Sequence, residues 1–450
     1  MTLRRAQGQP ERSRGLTGRN ARIALAGLLF VYVLGIRIYD VSTTFLMLGE
    51  QTRDWTIALG GITDLPLTGA PSTAGGRGLG PIYYWLLWSG RILIGAFMDN
   101  LPHAGGVFVA LLQSIADVWL FTALARRMHW SLALAMSLLI ASAPFDIALS
   151  SLIWNPPVAA AMIKMATAMS LTLTAESPLW MVGVAAALAW FGVQSHLSGI
   201  FVAGPLLLAL AFTRRLKGVA IAAAAVIVLQ IPFLISLLHQ AGPAGPTSAI
   251  ASLTNPQVFR PWFAYGSVTG ITGNLLIHLY DGYEYTIPTL IAAVIVAYAY
   301  RKDVIVIAVS ASAILMATLL FTTSTRPYDS YWFVTLTTAM TLTFGMAIAA
   351  IPSQTAVRWI GVAMLALIVW RQPARIEDSK RYFKYPQYGT MVHASRELIM
   401  RAPVVRDIKL TFDVHPTMDR FFIYRILGGQ VSSNAISTAV FNSDGSVSLR

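Results

Sequence analysis

Near-continuous apolar runs recur along the first 370 residues, and they restrict the possible folds more than any other property of this chain. The candidate membrane spans are 22–39, 104–124, 131–148, 157–173, 179–193, 197–213, 218–238, 286–300, 303–321, 332–351 and 358–370. A helix needs about 20 residues to cross the hydrocarbon of a bilayer, so several of these runs extend into their flanks. The stretch 80–98 is apolar but interrupted by Ser89, Gly90 and Arg91, and reads as a helix lying at the membrane surface. Only 12% of residues are charged, about half the share of a soluble domain. A soluble enzyme, a disordered chain and a fibrous repeat are therefore excluded. With no cysteine, so are a disulfide, a thiolate metal site and a Cys nucleophile.

The formal net charge of +13 would fit nucleic-acid binding if the basic residues formed a patch. Their distribution instead follows the positive-inside rule. With the N-terminus inside and 80–98 not crossing, the cytoplasmic segments hold fourteen Lys/Arg, including Arg126–Arg127, Arg214–Arg215–Lys217 and Arg301–Lys302. The outer segments before residue 371 hold five: Arg53, Arg77, Arg91, Arg260 and Arg326. The expectation is an all-α polytopic protein of the inner membrane with about eleven spans, a cytoplasmic N-terminus and an extracytoplasmic C-terminus. Residues 1–21 form a basic cytoplasmic arm that touches anionic lipid, and the long run after it reads as an anchor rather than a cleavable signal. Residues 22–370 form the membrane domain, and three long polar segments, 40–103, 239–285 and 371–450, lie outside. No GxxxxGK[ST] and no GxGxxG after a strand is present, which argues against ATP-driven transport. Nucleic acid is not an expected partner.

The first outer segment concentrates carboxylates in a chain that otherwise avoids them: Asp40, Glu50, Asp54 and Asp64. Residues 50–59 lack Pro and Gly and should form a short helix, with Glu50 and Asp54 one turn apart and Arg53 next to Glu50 by the i,i+3 relation. Two like charges so placed raise one pKa, which suits a general base; a solvated juxtamembrane helix is the other reading. The following STAGGRGLGPIYYWLLW is a Gly-rich turn with one arginine, then Pro at a helix start, then aromatics. Arg77 and the turn's amides could hold a phosphate. Tyr83, Tyr84, Trp85 and Trp88 suit headgroup depth, as anchors or as substrate contacts.

An acidic residue in a G-[DE]-x-x-R-[DY] setting, a Gly-rich turn and P-x-Y-Y-W-L-L resemble the GT-C glycosyltransferases, closest to the protein O-mannosyltransferase and lipid A aminoarabinose transferase branch. The resemblance covers span order and orientation across roughly 1–350, with sharp motifs in 49–88. It implies transfer of a sugar from a polyprenyl-phosphate donor to a lipid-linked, glycan or protein acceptor at the outer face, with inversion at the anomeric carbon. The family's loop Asp falls on Glu50, a departure, with Gln51 where the family has Glu. Glu50 is thus the implied base, with Asp54 or Asp40 as substitutes. The family also places a basic or aromatic cluster against the lipid phosphate, which points to Arg326 and Tyr328; pairing of Arg326 with Asp329 is the alternative. Some distant relatives hold a divalent cation with carboxylates, and the sequence leaves that open.

Other outer-face residues carry two readings each. Asn155 in SLIWNPPVAA caps the next helix or contacts substrate; His196 in GVQSHLSG is structural or touches phosphate or sugar. No HxxxH or HExxH pair marks a metal site. Asp117 and Lys164, placed in spans, pair with each other or line the cavity. Asp281, Tyr283 and Glu284 in the second long segment are candidate acceptor contacts. Beyond residue 370 a charged linker leads to a helix over 388–401 and strands over DIKLTFDV and RFFIYRIL, forming a small α/β appendage that packs on the outer loops. A flippase for lipid-linked sugar, and an inactive scaffold of a glycan-assembly complex, are the rival functions.

Overall fold

A computed structural model describes residues 19–71, 77, 79–174, 176–213, 215–239, 286–316 and 334–450. Within these residues each apolar run is helical. In chain order the helices are α1 (Arg19–Ile38), α2 (Val41–Thr44), α3 (Gly49–Leu59), α4 (Ile82–Gly95), α5 (Pro102–Leu124), α6 (Trp130–Ala141), α7 (Pro144–Leu149), α8 (Asn155–Leu171), α9 (Leu179–Ser195), α10 (Ile200–Thr213) and α11 (Arg215–His239). They are followed by α12 (Thr286–Ala299), α13 (Val304–Ile307, continued by a π turn Ala308–Ser312), α14 (Val334–Ala349), α15 (Gln354–Ser379), α16 (Gln387–Arg401) and α17 (Phe422–Ile426). Three helical stretches, Asn20–Thr44, Pro102–Leu124 and Leu216–Leu238, are long and apolar enough to cross a membrane, and six more apolar helices are shorter. Leu28, Val31, Phe212, Leu216, Leu238 and Val294 stand exposed on these helices. So much apolar surface would be a liability in water and is expected against lipid.

The run 131–148 is two helices rather than one. Pro144 has no amide hydrogen and disfavours helical geometry in the residue before it, so the chain breaks between α6 and α7. The carbonyls left open at the end of α6 are taken by Arg375, whose guanidinium donates to Ser142 O at 2.6 Å and Leu139 O at 2.9 Å. Residues 371–379 of the expected charged linker are instead the continuation of α15, with Glu377–Lys380 and Asp378–Arg381 pairs at its end, and turns connect it to α16.

The C-terminal region contains a three-stranded sheet in the order β2 (Asp407–Leu410), β4 (Thr438–Phe441), β5 (Val447–Leu449), with β2 and β4 parallel and β4 and β5 antiparallel. Strands β1 (Val404–Val405) and β3 (Gln430–Val431) pair separately. RFFIYRIL is a helix, not a strand. Phe421–Tyr424 are four consecutive apolar or aromatic residues rather than an alternation, Asp419 accepts from Phe421 N just upstream, and Gly428 at φ +99° stops the helix. This region shares a core with the first outer segment: Tyr388, Met391, Met418 and Phe422 are buried with Trp55, Tyr83, Tyr84 and Phe145.

Asp117 and Lys164 are an ion pair at 2.8 Å, but they do not stand alone. Arg37, at the end of α1, reaches Asp117 at 2.6 Å and Asp146 at 2.7 Å, and Lys164 also approaches Asp146 at 3.4 Å. Gln113 accepts from Lys164 and donates to Pro157 O. Two cations and two carboxylates thus cancel inside the bundle, tying α1, α5, α7 and α8 together. Removing one member leaves an uncompensated buried charge, which costs about 3–5 kcal/mol. Lys164→Met should lower the unfolding midpoint of the detergent-solubilised protein accordingly. Adding Asp117→Asn leaves the balanced Arg37–Asp146 pair and should recover a large part of the loss, as a double-mutant cycle would reveal.

Candidate active site

Helix α3 carries Glu50 and Asp54 and is pinned at its start and its middle. At its start Gln51 Oε1 accepts from Leu48 N at 3.0 Å. At its middle the buried Trp55 donates from Nε1 to Asn100 O at 3.0 Å. The Trp55 ring lies over α5 at Gly105, where an added Cβ would come within 2.6 Å of it. At Gly106 a Cβ would collide with Ser151 O. The close approach of α3 to α5 therefore depends on Gly105, and that of the Ser151 turn and Phe45 on Gly106.

Asp54 points inward and is fully buried. Its Oδ1 receives the Arg53 guanidinium at 2.7–2.8 Å and the Tyr84 hydroxyl at 3.0 Å. Tyr83 donates to its Oδ2 at 2.9 Å. Burial pushes the Asp54 carboxyl above the ordinary carboxylate range, while Arg53 and the two phenols pull it back. The cause is burial, not repulsion from Glu50. Arg53 serves Asp54 rather than Glu50, and Tyr83 and Tyr84 are buried donors to a carboxylate rather than headgroup anchors. Sequence periodicity cannot separate these roles, because both carboxylates lie near one face of a short helix.

Glu50 lies in the first turn of the same helix, half-buried, and among the described residues no hydrogen bond or ion pair engages its carboxylate. The other acids of the segment are occupied. Asp40 pairs with Lys384 at 2.7 Å, and Asp64 accepts from Gly61 N at 3.0 Å and Thr63. Among the described residues no three His, Asp or Glu side chains gather as metal ligands.

Helices α8 and α9 bring Asn155 and His196 together. Asn155 is the first helical residue, Trp154 occupies the cap position, and the Asn155 amide donates to Ser195 O at 3.0 Å. His196 Nδ1 accepts from Ser198 N at 3.4 Å and lies 2.7 Å from Ser198 Oγ, so in the neutral ring Nε2 carries the proton. Burial pushes its pKa down to about 3. At neutral pH it is a hydrogen-bond donor, not a cation. Arg77 is exposed, 3.5 Å from Thr68 Oγ1. Next to it Gly80 packs on Gln194, whose amide leaves no room for a Cβ, and Gln230 donates to Leu79 O at 2.6 Å. Arg326, Tyr328, Asp281, Tyr283 and Glu284 lie outside the described residues.

Packing of the C-terminal region on the outer loops was expected, but not the residues that make it. Lys384 bridges Phe45 through the backbone and Asp40 through its side chain, Tyr385 N donates to Thr44 O, and the Tyr388 hydroxyl is 2.9 Å from His103 Nδ1. Phe383, at φ +50°, sets its ring edge-on to Phe145 and Trp154 at 5.5 and 5.6 Å. A bulky residue in that left-handed region costs on the order of 1–3 kcal/mol, which the aromatic cluster must offset. No local pattern links residues 383–388 to residues 40–45.

Tyr83→Phe removes a hydrogen bond to a buried carboxylate and should destabilise the protein by about 1.5–3 kcal/mol in chemical unfolding. A second expectation concerns pH. The His196 pKa lies below its unfolded value of 6.5, so its contribution is complete above that pH and is lost as pH falls toward 3, because the unfolded chain takes up the proton first. His196→Asn should flatten the fall in stability between pH 6.5 and 4 by up to about 1.4 kcal/mol per pH unit.

No family model matches the sequence and no curated protein matches it. Solved structures do resemble it in shape. ArnT from Cupriavidus metallidurans in the apo state superposes with a TM-score of 0.58 over 93% of each chain at 13% identity. ArnT bound to undecaprenyl phosphate gives 0.52 over 92% of this chain and 85% of that one, also at 13% identity. The Archaeoglobus fulgidus oligosaccharyltransferase, in a complex with Zn and sulfate, gives 0.54 at 12% identity, over 92% of this chain and 62% of that one. ArnT and this oligosaccharyltransferase are both GT-C glycosyltransferases, and the chain has the GT-C fold.

Proposed function

We propose that this chain is an integral-membrane glycosyltransferase that moves a sugar from a polyprenyl-phosphate donor to a lipid-linked, glycan or protein acceptor at the outer face. The observation that carries the reading is the contrast on α3: Asp54 is locked in place by Arg53, Tyr83 and Tyr84, while Glu50, one turn away, is half-buried, feels the charge of Arg53 and makes no hydrogen bond or close ion pair among the described residues. A general base must be free to touch the acceptor, and a base must also be held still. The Asp54 cluster holds the helix and Glu50 takes the proton. The acceptor oxygen attacks the anomeric carbon as the bond to the phosphate oxygen breaks. Polyprenyl phosphate leaves with the electron pair, and the acceptor proton passes to Glu50. One displacement inverts the anomeric centre.

The fold likeness to ArnT, one form of which holds undecaprenyl phosphate, supports this donor class. Arg77 and Arg326 are the proposed phosphate ligands, with Tyr328, Asn155 and His196 as further proposed substrate contacts. In this account the chain crosses the inner membrane about eleven times, N-terminus in and C-terminus out. α4 lies along the surface, residues 22–370 are the catalytic domain and residues 371–450 the outer appendage. A divalent cation, suggested by the Zn of the archaeal neighbour, would need several carboxylates, and those of the first segment are mostly engaged. The bundle charges pair with one another, which favours a transferase over a flippase with charges along its path.

Glu50→Gln should lower transfer from a radiolabelled polyprenyl-phosphate sugar by about 100-fold or more, with insertion and unfolding midpoint unchanged. Asp54→Asn should lose activity and midpoint together. Full activity in the Glu50→Gln protein would sink the assignment.

A further inference from the structure

The groups that flank the base also flank the acceptor, and part of that flank comes from the C-terminal region. A Cβ on Gly49 would lie 3.6 Å from Thr417 O and 3.9 Å from Thr417 Cβ, so the turn around Thr417 abuts the first turn of α3, next to Glu50. The turn is fixed. Met418 and Phe422 are buried in the core that holds Trp55, and the Tyr385 hydroxyl donates to Asp413 O at 3.1 Å. Asp413, His415 and Thr417 nevertheless remain exposed. His415 Nδ1 accepts from Thr417 N at 3.3 Å and lies 2.8 Å from Thr417 Oγ1, which leaves the proton of the neutral ring on the outward Nε2.

We propose that the turn Asp413–Thr417 is the acceptor-binding wall of the site, recognising hydroxyl groups of a carbohydrate acceptor beside Glu50. A carboxylate that accepts, an imidazole N–H that donates and a hydroxyl that does both match a polyol. An anionic acceptor would meet Asp413 unfavourably. The inference rests on the transferase reading of Glu50 and adds the substrate class on the acceptor side. His415 contacts substrate here; it takes no proton in the reaction.

Water can replace the acceptor, so donor hydrolysis and acceptor transfer separate the two halves of the site. The full-length protein in nanodiscs is given a radiolabelled polyprenyl-phosphate sugar with a glycan and glycolipid extract of the source membranes as the acceptor pool. His415→Ala and Asp413→Asn should each lower the ratio of transfer to hydrolysis by about tenfold, the scale of one hydrogen bond, at an unchanged unfolding midpoint. Lys409→Ala, exposed on β2, should alter neither rate. An unchanged ratio in both variants, or an equal fall in transfer and hydrolysis, overturns the proposal. If the wild type neither transfers nor hydrolyses, the reading of Glu50 itself is overturned and this one goes with it.

Discussion

A carboxylate taken out of water must have its oxygens filled, because an unpaired buried charge costs far more than folding can spare. Asp54 meets that condition with Arg53, Tyr83 and Tyr84, and the requirement organises the outer face. It forces α4 to begin directly under α3, so that two consecutive tyrosines reach one carboxylate. It commits the Arg53 guanidinium to Asp54, at 2.7–2.8 Å. Asp40, Asp64 and Asp99 are also engaged, which among the described residues leaves Glu50 as the acid of the segment with no hydrogen bond or close ion pair. The Arg37–Asp117–Lys164–Asp146 group applies the same rule inside the bundle, fixing α7 and with it the turn that delivers Trp154 and Asn155.

The C-terminal region is part of this arrangement rather than a separate attachment. It contributes Tyr388 and Met418 to the core beneath α3, Lys384 to Asp40, and Phe383 to the aromatic ring contacts at Trp154. Losing it would expose apolar surface on the first outer segment and release the helix that bears Glu50. The position of α3 therefore depends on residues more than 300 positions away in the chain.

Much of this was legible in the sequence. Long apolar runs can only be helices, and the absence of Pro and Gly over 50–59 marked α3. The fold likeness to ArnT agrees with the resemblance read from G-E-x-x-R-D and P-x-Y-Y-W-L-L. Asp117 and Lys164 were suspect because isolated charges do not survive in an apolar span. What the sequence could not say was which partner each charge takes. Arg53 had two carboxylates in reach, and only the burial of Asp54 decides between them. Periodicity likewise missed α17, where Asp419 and Gly428 override strand-prone residues. The docking of residues 383–388 had no local signature at all, because tertiary contacts alone produce it.

The most direct test follows the glycosidic phosphate bond itself. Purified wild-type protein in a nanodisc, given a polyprenyl-phosphate sugar labelled in both lipid and sugar, should release free polyprenyl phosphate in step with sugar appearing on acceptor or in water. Recovery of the donor intact, whether bound or moved between leaflets, would contradict a transferase and leave a carrier or scaffold in its place.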